Sequence, residues 1–515
     1  MGVLARISAA AIDAVIFDLD GVVTDTASVH SAAWKRLFDA YLQERAERTG
    51  DDWEPFEPDD YRRYVDGKPR YDGVRSFLAA RGITLPEGET SDPPDRETVR
   101  GLGNRKDREF LDHIREHGVD AFPGTVRLID DLHGLGVRTA IISASRNCQE
   151  VLRAAGLEDR FEERVDGLVA AGVGLPGKPD PAVFLEAARR LGVPPFRAAS
   201  VEDALAGVEA GRRGGFALVI GVDRTGHAQE LREHGADVVV SDLGEMSTTA
   251  EPPAIGDLPD ALDRVARVAT WVDERSPAVF LDYDGTLTPI VPDPDDALLS
   301  DEARAAIRRL AEVCTVGVIS GRDLDDVRGK VALDELLYAG SHGFDIVGPD
   351  GLREQRGTEH LPALDEAEAD LRAALENTGT AVERKRFAVA VHFRRAPDRA
   401  AEVERAVKAA ASAHRGLRVT GGKMIFELRP DVEWDKGLAL SWLLEVLGLE
   451  GEDVLPMYLG DDVTDEDAFR ALGARGVGLV VRGEDDTRPT LASLAFSDPG
   501  EVRSFLDALA EVLEE

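Results

Sequence analysis

Two short segments of one design, AVIFDLDGVVTDT at Ala14 to Thr26 and AVFLDYDGTLTPI at Ala278 to Ile290, constrain the fold more than anything else in the chain. In each, an apolar, β-rich run ends in D-x-D-G. Such a run reads as a buried parallel strand, and its C-terminal end is where open α/β sheets place their ligands. Behind both segments, further apolar runs alternate with amphipathic helical patterns: VRTAIISAS, RAASVEDA and ALVIGV in the first half, CTVGVISGR, DVLPMYLGDD and GVGLVV in the second. That alternation predicts an α/β chain with two doubly wound, Rossmann-like cores. A chain of 515 residues with 43% hydrophobic content can fill two such cores.

Domains are expected over 1–246 and 263–515. The stretch between them, 247–262, reads as a linker because STTAEPPAIGDLP is rich in Pro, Ser, Thr and acid and lacks periodicity. The two halves place their long intervals differently. From Asp18 to Ser143 the chain runs much farther than one crossover helix needs, whereas Ser143 to Lys178 is short; in the second half Asp282 to Ser320 is short and Ser320 to Lys436 is long. Each long interval can hold a cap over a site. The first, about 28–118, is helical in pattern, and the second, about 343–430, is α/β, with FAVAVHF and MIFELRP as strands.

Two aspartates two residues apart at a strand end suit phosphoryl transfer. That reaction needs an ionised nucleophile, a group that gives and takes a proton, and a divalent cation to neutralise crowded oxygens. In the first half, Asp18 and Asp20 are followed in order by Ser143 at a strand end, by Lys178, and by the strand-end pair Glu202 and Asp203, oxygen ligands suited to Mg²⁺. The second half repeats the set with Asp282 and Asp284, Ser320, Lys436, and Asp461, Asp462 and Asp465 in GDDVTDE. D-x-D-G alone also fits a turn or a calcium loop; the ordered set is much harder to obtain by chance.

On these residues both halves resemble the haloacid dehalogenase superfamily. Within it, residues 10 to 245 resemble β-phosphoglucomutase, with Thr26 and His30 in DLDGVVTDTASVHSAAW and a phosphate-loop-like SASRN at Ser143 to Asn147. The resemblance implies Asp18 as nucleophile and Asp20 as acid/base. It puts Mg²⁺ in the region of Asp18, Asp20, Glu202 and Asp203, with Asp203 favoured as direct ligand, and makes Arg70 in DGKPRYDG and Lys106 in GNRKD contacts to substrate phosphate and sugar. Arg146 departs from the lysine common in that family, but its fork can bind a second phosphate. Ser145, Arg146, Asn147 and Arg70 could form the distal phosphate site that a mutase needs. A sugar phosphatase and a non-catalytic regulatory module stay open for this half.

Residues 265 to 515 resemble trehalose-6-phosphate phosphatase. The resemblance rests on SHG at Ser341 to Gly343, VERKRFAVAVHFR at Val382 to Arg394 and GGKMIFELRP at Gly421 to Pro430. It implies Asp282 as nucleophile and Asp284 as acid and then base, with Ser320 and Lys436 holding phosphoryl oxygens and Mg²⁺ among Asp282, Asp284, Asp461, Asp462 and Asp465. It also implies that Glu383, Lys385 and Glu427 contact the distal glucose, with Lys423 and Arg322 near the phosphate or the sugar. Charged donors and acceptors suit a disaccharide rich in hydroxyls. Phe387 stands where a small polar residue is common. Another phosphosugar, such as sucrose 6-phosphate or glucosylglycerol phosphate, stays open.

Composition narrows the partners. A net charge of −37 disfavours nucleic acid and anionic membrane, leaving small phosphosugars, and sets no oligomeric state. No apolar run is long enough to span a bilayer, and the N-terminal residues reach acids before any cleavage pattern, so a cytoplasmic protein is expected. The two cysteines, Cys148 and Cys314, lie far apart in sequence and fit a reducing compartment.

Overall fold

The computed structural model describes residues 6–50, 52–273, 275–422, 424–483, 485 and 487–514. The chain divides between Pro253 and Ala254 into two compact units. The first is built on six strands in the order Glu163–Val165, Arg138–Ile142, Ala14–Asp18, Ala198–Glu202, Leu218–Val222, Val238–Val240, all parallel. Ala14–Asp18 is buried along its whole length. Its side chains alternate between the two faces, Val15 and Phe17 in one core cluster, Ala14 and Ile16 in the other, so both faces of the sheet are covered.

In the second unit eight strands run in the order Arg353–Gln355, Asp345–Val347, Leu337–Gly340, Thr315–Ile319, Ser276–Leu281, Val454–Gly460, Val477–Val481, Leu494–Phe496. Asp345–Val347 pairs antiparallel with both of its neighbours, and the other neighbouring strands are parallel. Both cores are therefore doubly wound as the alternation predicts. In each, the D-x-D-G strand lies inside the sheet.

The first cap packs helices Ala27–Thr49, Arg70–Ala80 and Val99–His117 around Trp34, Phe38, Phe56 and Phe77. The Phe38 and Phe77 ring centroids are 4.1 Å apart. Thr98 starts the last of these helices by accepting the Gly101 N–H at 2.9 Å. The second cap lays helices Leu361–Ala374 and Ala400–Ala413 on a four-stranded antiparallel sheet ordered Ala381–Lys385, Ala388–His392, Ile425–Pro430, Leu417–Gly422.

Two boundaries differ from expectation. The α/β cap does not begin at 343, because the hairpin Asp345–Val347 and Arg353–Gln355 extends the core sheet first. Strands of three residues are too short to show a period. The 247–262 segment is not a structureless linker either. Ser247–Thr249 pairs in parallel with Arg6–Ser8, while Ile255 and Leu258 are buried in the second core and Ala261 N–H donates to Ala495 O at 2.8 Å. Its prolines and short polar residues conceal these attachments. Among the described residues, no helix is long and apolar enough to cross a membrane.

Candidate active site

Each D-x-D-G segment turns sharply as its strand ends. Gly21 and Gly285 both have φ +83°. A Cβ would stand 1.8 Å from Asp203 Oδ2 at Gly21 and 2.1 Å from Asp461 Oδ2 at Gly285. Glycine is required twice over, for the left-handed backbone and for the approach of a carboxylate from the next strand. This turn brings the first and last motifs of each set together.

In the C-terminal unit, Lys436 Nζ donates to Asp282 Oδ1 at 2.9 Å and to Asp465 Oδ1 at 2.7 Å. Asp465 is fully engaged: Tyr458 OH donates to Oδ1 at 2.7 Å, and the N–H groups of Asp461 and Asp462 donate to Oδ2 at 3.0 and 2.9 Å. Carboxylate oxygens of Asp282, Asp461 and Asp465 lie within 4.8 Å of one another, and Asp461 Oδ1 is buried without a hydrogen-bond partner. Burial, with Asp282 and Asp465 alongside, pushes Asp461 up to about 9, and burial lifts Asp282 to about 7 against the pull of Lys436. Three carboxylates share one ammonium, so the cluster lacks positive charge. A hard divalent cation such as Mg²⁺ fits that deficit, with Asp282 and the orphaned Asp461 oxygen as its ligands. Asp462 does not join the cluster. It is exposed and caps the turn of helix after it, accepting the Val463 N–H at 2.7 Å.

Asp284 is gripped by Arg322, whose Nε and Nη2 donate to its two oxygens at 2.7 Å each. Arg322, expected near the substrate, also holds Asp326 at 2.8 Å. Ser320 Oγ accepts the Arg322 N–H at 3.2 Å. Asp284, Arg322 and Lys436 line a cavity of about 800 Å³ that the cap closes with Glu383, Lys385 and Glu427. Within it Lys385 Nζ donates to Glu427 Oε1 at 3.1 Å, Arg429 Nε donates to Glu427 Oε2 at 2.9 Å, and Glu383 lies 2.8 Å from His392 Nε2. Burial works to raise Glu427, but Lys385 and Arg429 outweigh it and hold the carboxylate down at about 2. Lys423 lies outside the described residues.

Two cavity residues escape the sequence reading although they stand in motifs it quotes. His342 Nε2 lies 2.7 Å from Arg429 Nη2. Burial, then Arg429 and Lys436, push the His342 imidazole well below its usual value, so the ring is neutral, accepts from Arg429 and carries its proton on Nδ1. Arg429 shares a strand face with Glu427, two residues away, and the period of two could have found it. Ser341 and His342 have φ of 52° and 58°, a left-handed turn costing about 1–3 kcal/mol per residue at a site that holds it in place.

The N-terminal unit repeats the core with different fittings. Lys178 Nζ donates to Asp18 Oδ1 at 2.5 Å and also to Glu202, and Asp18, Glu202 and Asp203 bring carboxylate oxygens within 4.8 Å. Burial and the neighbouring carboxylates Asp66, Glu202 and Asp18 push Asp203 well up, an excess of negative charge that a divalent cation would fit. Thr26 donates to Asp20, and His30 Nε2 lies 3.3 Å from it. Burial alone would raise Asp20, but His30, Thr26 and Lys106 overcome it and keep the carboxyl at about 2. Ser143 Oγ accepts the Ser145 N–H at 3.1 Å.

A cavity of about 430 Å³ above this core is lined by Asp18, Asp20, His30, Arg70, Lys106, Ser145 and Arg146. Arg70 pairs with Asp107 at 2.5 Å, and burial lowers Lys106 to about 8. Asn147 does not line the cavity itself; its Nδ2 donates to Asp107 Oδ1, on the cavity wall, at 2.8 Å. Thr26 and Glu202 also act from behind the cavity wall, through Asp20 and Lys178. Asp66, which the sequence reading passes over, enters the cavity from the cap; burial lifts it to about 7 against a hydrogen bond with Tyr61.

Comparison with known proteins follows the same division. A trehalose-phosphatase family model matches residues 280–499, and a haloacid dehalogenase-like hydrolase model matches residues 12–215. The trehalose-phosphate phosphatase of Mycobacterium tuberculosis is 48% identical over 339 residues, 65% of this chain and 86% of that protein. That of Mycobacterium leprae is 42% identical over 408 residues, 76% of this chain and 93% of that protein. An uncharacterized glycosyl hydrolase of Mycobacterium tuberculosis is 46% identical over 510 residues, 98% of this chain; the chain spans 38% of that relative's length. With a haloacid dehalogenase-like hydrolase domain ahead of its phosphatase domain, the chain belongs to the trehalose-phosphate phosphatase family.

Proposed function

We propose that the C-terminal unit hydrolyses trehalose 6-phosphate through a phosphoaspartate on Asp282. The observation that carries this reading is a single cavity of about 800 Å³ lined by Asp284 and Lys436 together with Glu383, Lys385 and Glu427. A carboxylate of Asp282 attacks phosphorus in line, and Asp284 gives a proton to the sugar 6-oxygen as the P–O6 bond breaks. Water then loses a proton to Asp284 and attacks phosphorus, and the bond to Asp282 breaks to release phosphate. Arg322, whose fork grips both Asp284 oxygens, holds that carboxyl in place for the transfer. Lys436 and Ser320 hold the transferring oxygens. Mg²⁺, held by Asp282 and Asp461, would neutralise phosphoryl charge. The cap admits a sugar whose hydroxyls satisfy Glu383, Lys385 and Glu427. The test is kcat/KM on trehalose 6-phosphate, sucrose 6-phosphate and glucosylglycerol phosphate, before and after Glu427→Ala. A preference for trehalose 6-phosphate that Glu427→Ala erases supports the reading, and equal rates on all three overturn it.

For the N-terminal unit we propose a β-phosphoglucomutase-like transfer through Asp18, with Asp20 as acid/base. It is favoured by Arg70, Lys106 and Arg146 lining the same cavity as Asp18, cations that suit a second phosphate. Supplied with β-glucose 1-phosphate and a trace of the bisphosphate, this unit is expected to form glucose 6-phosphate; free phosphate instead would make it a phosphatase. A cytoplasmic setting, with small phosphosugars as partners, accords with the net charge of −37.

A further inference from the structure

In the C-terminal unit one turn of the cap sheet is seated directly on the core. Strands Ala381–Lys385 and Ala388–His392 pair from Ala381↔His392 to Lys385↔Ala388, so Arg386 and Phe387 form the turn between them. Three contacts seat it. Arg386 N–H donates to Asp323 Oδ2 at 2.8 Å, Arg386 Nε lies 3.4 Å from Asp345 Oδ2, and the buried Phe387 ring stacks on Phe344 with centroids 5.7 Å apart.

Asp323 is the member of this group that also reaches the chemistry. Its other oxygen, Oδ1, accepts the Ser341 hydroxyl at 2.7 Å, and Ser341 N–H donates to Arg322 O at 2.6 Å. One carboxylate thus joins the cap hairpin, the left-handed Ser341–His342 turn and the loop that carries Arg322. Arg322 is the preceding residue in the chain, and its fork is what holds Asp284. Asp323 also precedes the helix Leu324–Val331 as its N-cap residue, yet it makes no capping hydrogen bond there. Both of its oxygens serve the junction and neither serves the helix.

We propose that Asp323 is a positioning residue: it latches the hairpin bearing Glu383 and Lys385 to the Arg322 loop, so that seating the cap on a sugar sets the Arg322–Asp284 pair. The role rests on the phosphatase reading of this unit. When the hairpin lifts, Asp323 loses the Arg386 N–H and is left with Ser341 alone, and the loop beneath Asp284 is released. A sugar held by Glu383 and Lys385 keeps the hairpin down and therefore keeps the acid in register with the bond to be broken.

The experiment compares the full chain with Asp323→Ala and Asp323→Asn on trehalose 6-phosphate and on p-nitrophenyl phosphate. The second substrate has no sugar for the hairpin and a leaving group that departs without a proton. In Asp323→Ala the ratio of kcat/KM on trehalose 6-phosphate to that on p-nitrophenyl phosphate is expected to fall about tenfold or more. In Asp323→Asn it should stay within about threefold of the parent, because an amide oxygen can still accept from Arg386 and an amide nitrogen can donate to Ser341 Oγ. An unchanged ratio in Asp323→Ala, or an equal loss in both variants, overturns the latch. Amide exchange at residue 386 in the substrate-free protein gives a separate reading. It should quicken in Asp323→Ala and stay as in the parent in Asp323→Asn, and unchanged exchange in Asp323→Ala overturns the latch whatever the substrate. If the parent is inert on trehalose 6-phosphate, the phosphatase reading fails and the exchange result alone decides the latch.

Discussion

Gly285 shows how much a single residue decides. Its missing Cβ leaves room for Asp461 beside the nucleophile strand, so Gly285→Ala should displace that carboxylate as well as strain the turn. Calorimetric titration should show Mg²⁺ affinity weakened by about 10–100-fold; unaltered affinity would mean that Asp461 is not a ligand. Lys106 gives a pH signature. Burial lowers it to about 8, so the folded unit loses this cation as pH rises through about 8, and the cation is fully present well below. On a sugar phosphate, kcat/KM of the N-terminal unit should therefore decline above about pH 8, approaching tenfold per pH unit, and Lys106→Arg should flatten the profile.

Among the elements, the long central strands were legible because burial on both faces demands an unbroken apolar run, as in Ala14–Asp18 and Val454–Gly460. The three-residue hairpin Asp345–Val347 with Arg353–Gln355 and the parallel pair Arg6–Ser8 with Ser247–Thr249 were not, since so short a strand carries no period and its pairing depends on residues distant in sequence. The core motifs were legible as an ordered set. Which carboxylates stay free for a cation was not, because Asp465 is taken by Tyr458 and two N–H groups that only the fold supplies. Phe387, a departure from the family pattern, proves to be packing: it stacks on Phe344 and leaves Glu383 and Lys385 lining the cavity. At the same scale, Leu428 is fully buried between cap sheet and cap helices, and Leu428→Ala should cost about 2–5 kcal/mol in urea unfolding. Thr98→Ala removes the N-cap of a first-cap helix and should cost about 1 kcal/mol by the same measurement.

The whole molecule joins two units of the same core architecture, each with its own buried clusters and its own cap inserted at a different point of the core. Each unit brings an aspartate strand end, a lysine and further carboxylates together, so each proposed chemistry has its own nucleophile, Asp18 or Asp282. The most direct test is phosphate release from trehalose 6-phosphate by the full chain, by Asp18→Asn and by Asp282→Asn, with circular dichroism to show that all three are folded. Asp282→Asn should lower the rate by about a thousandfold or more, and Asp18→Asn should leave it within about twofold of the parent. Release that survives Asp282→Asn, or that disappears with Asp18→Asn, would contradict the account.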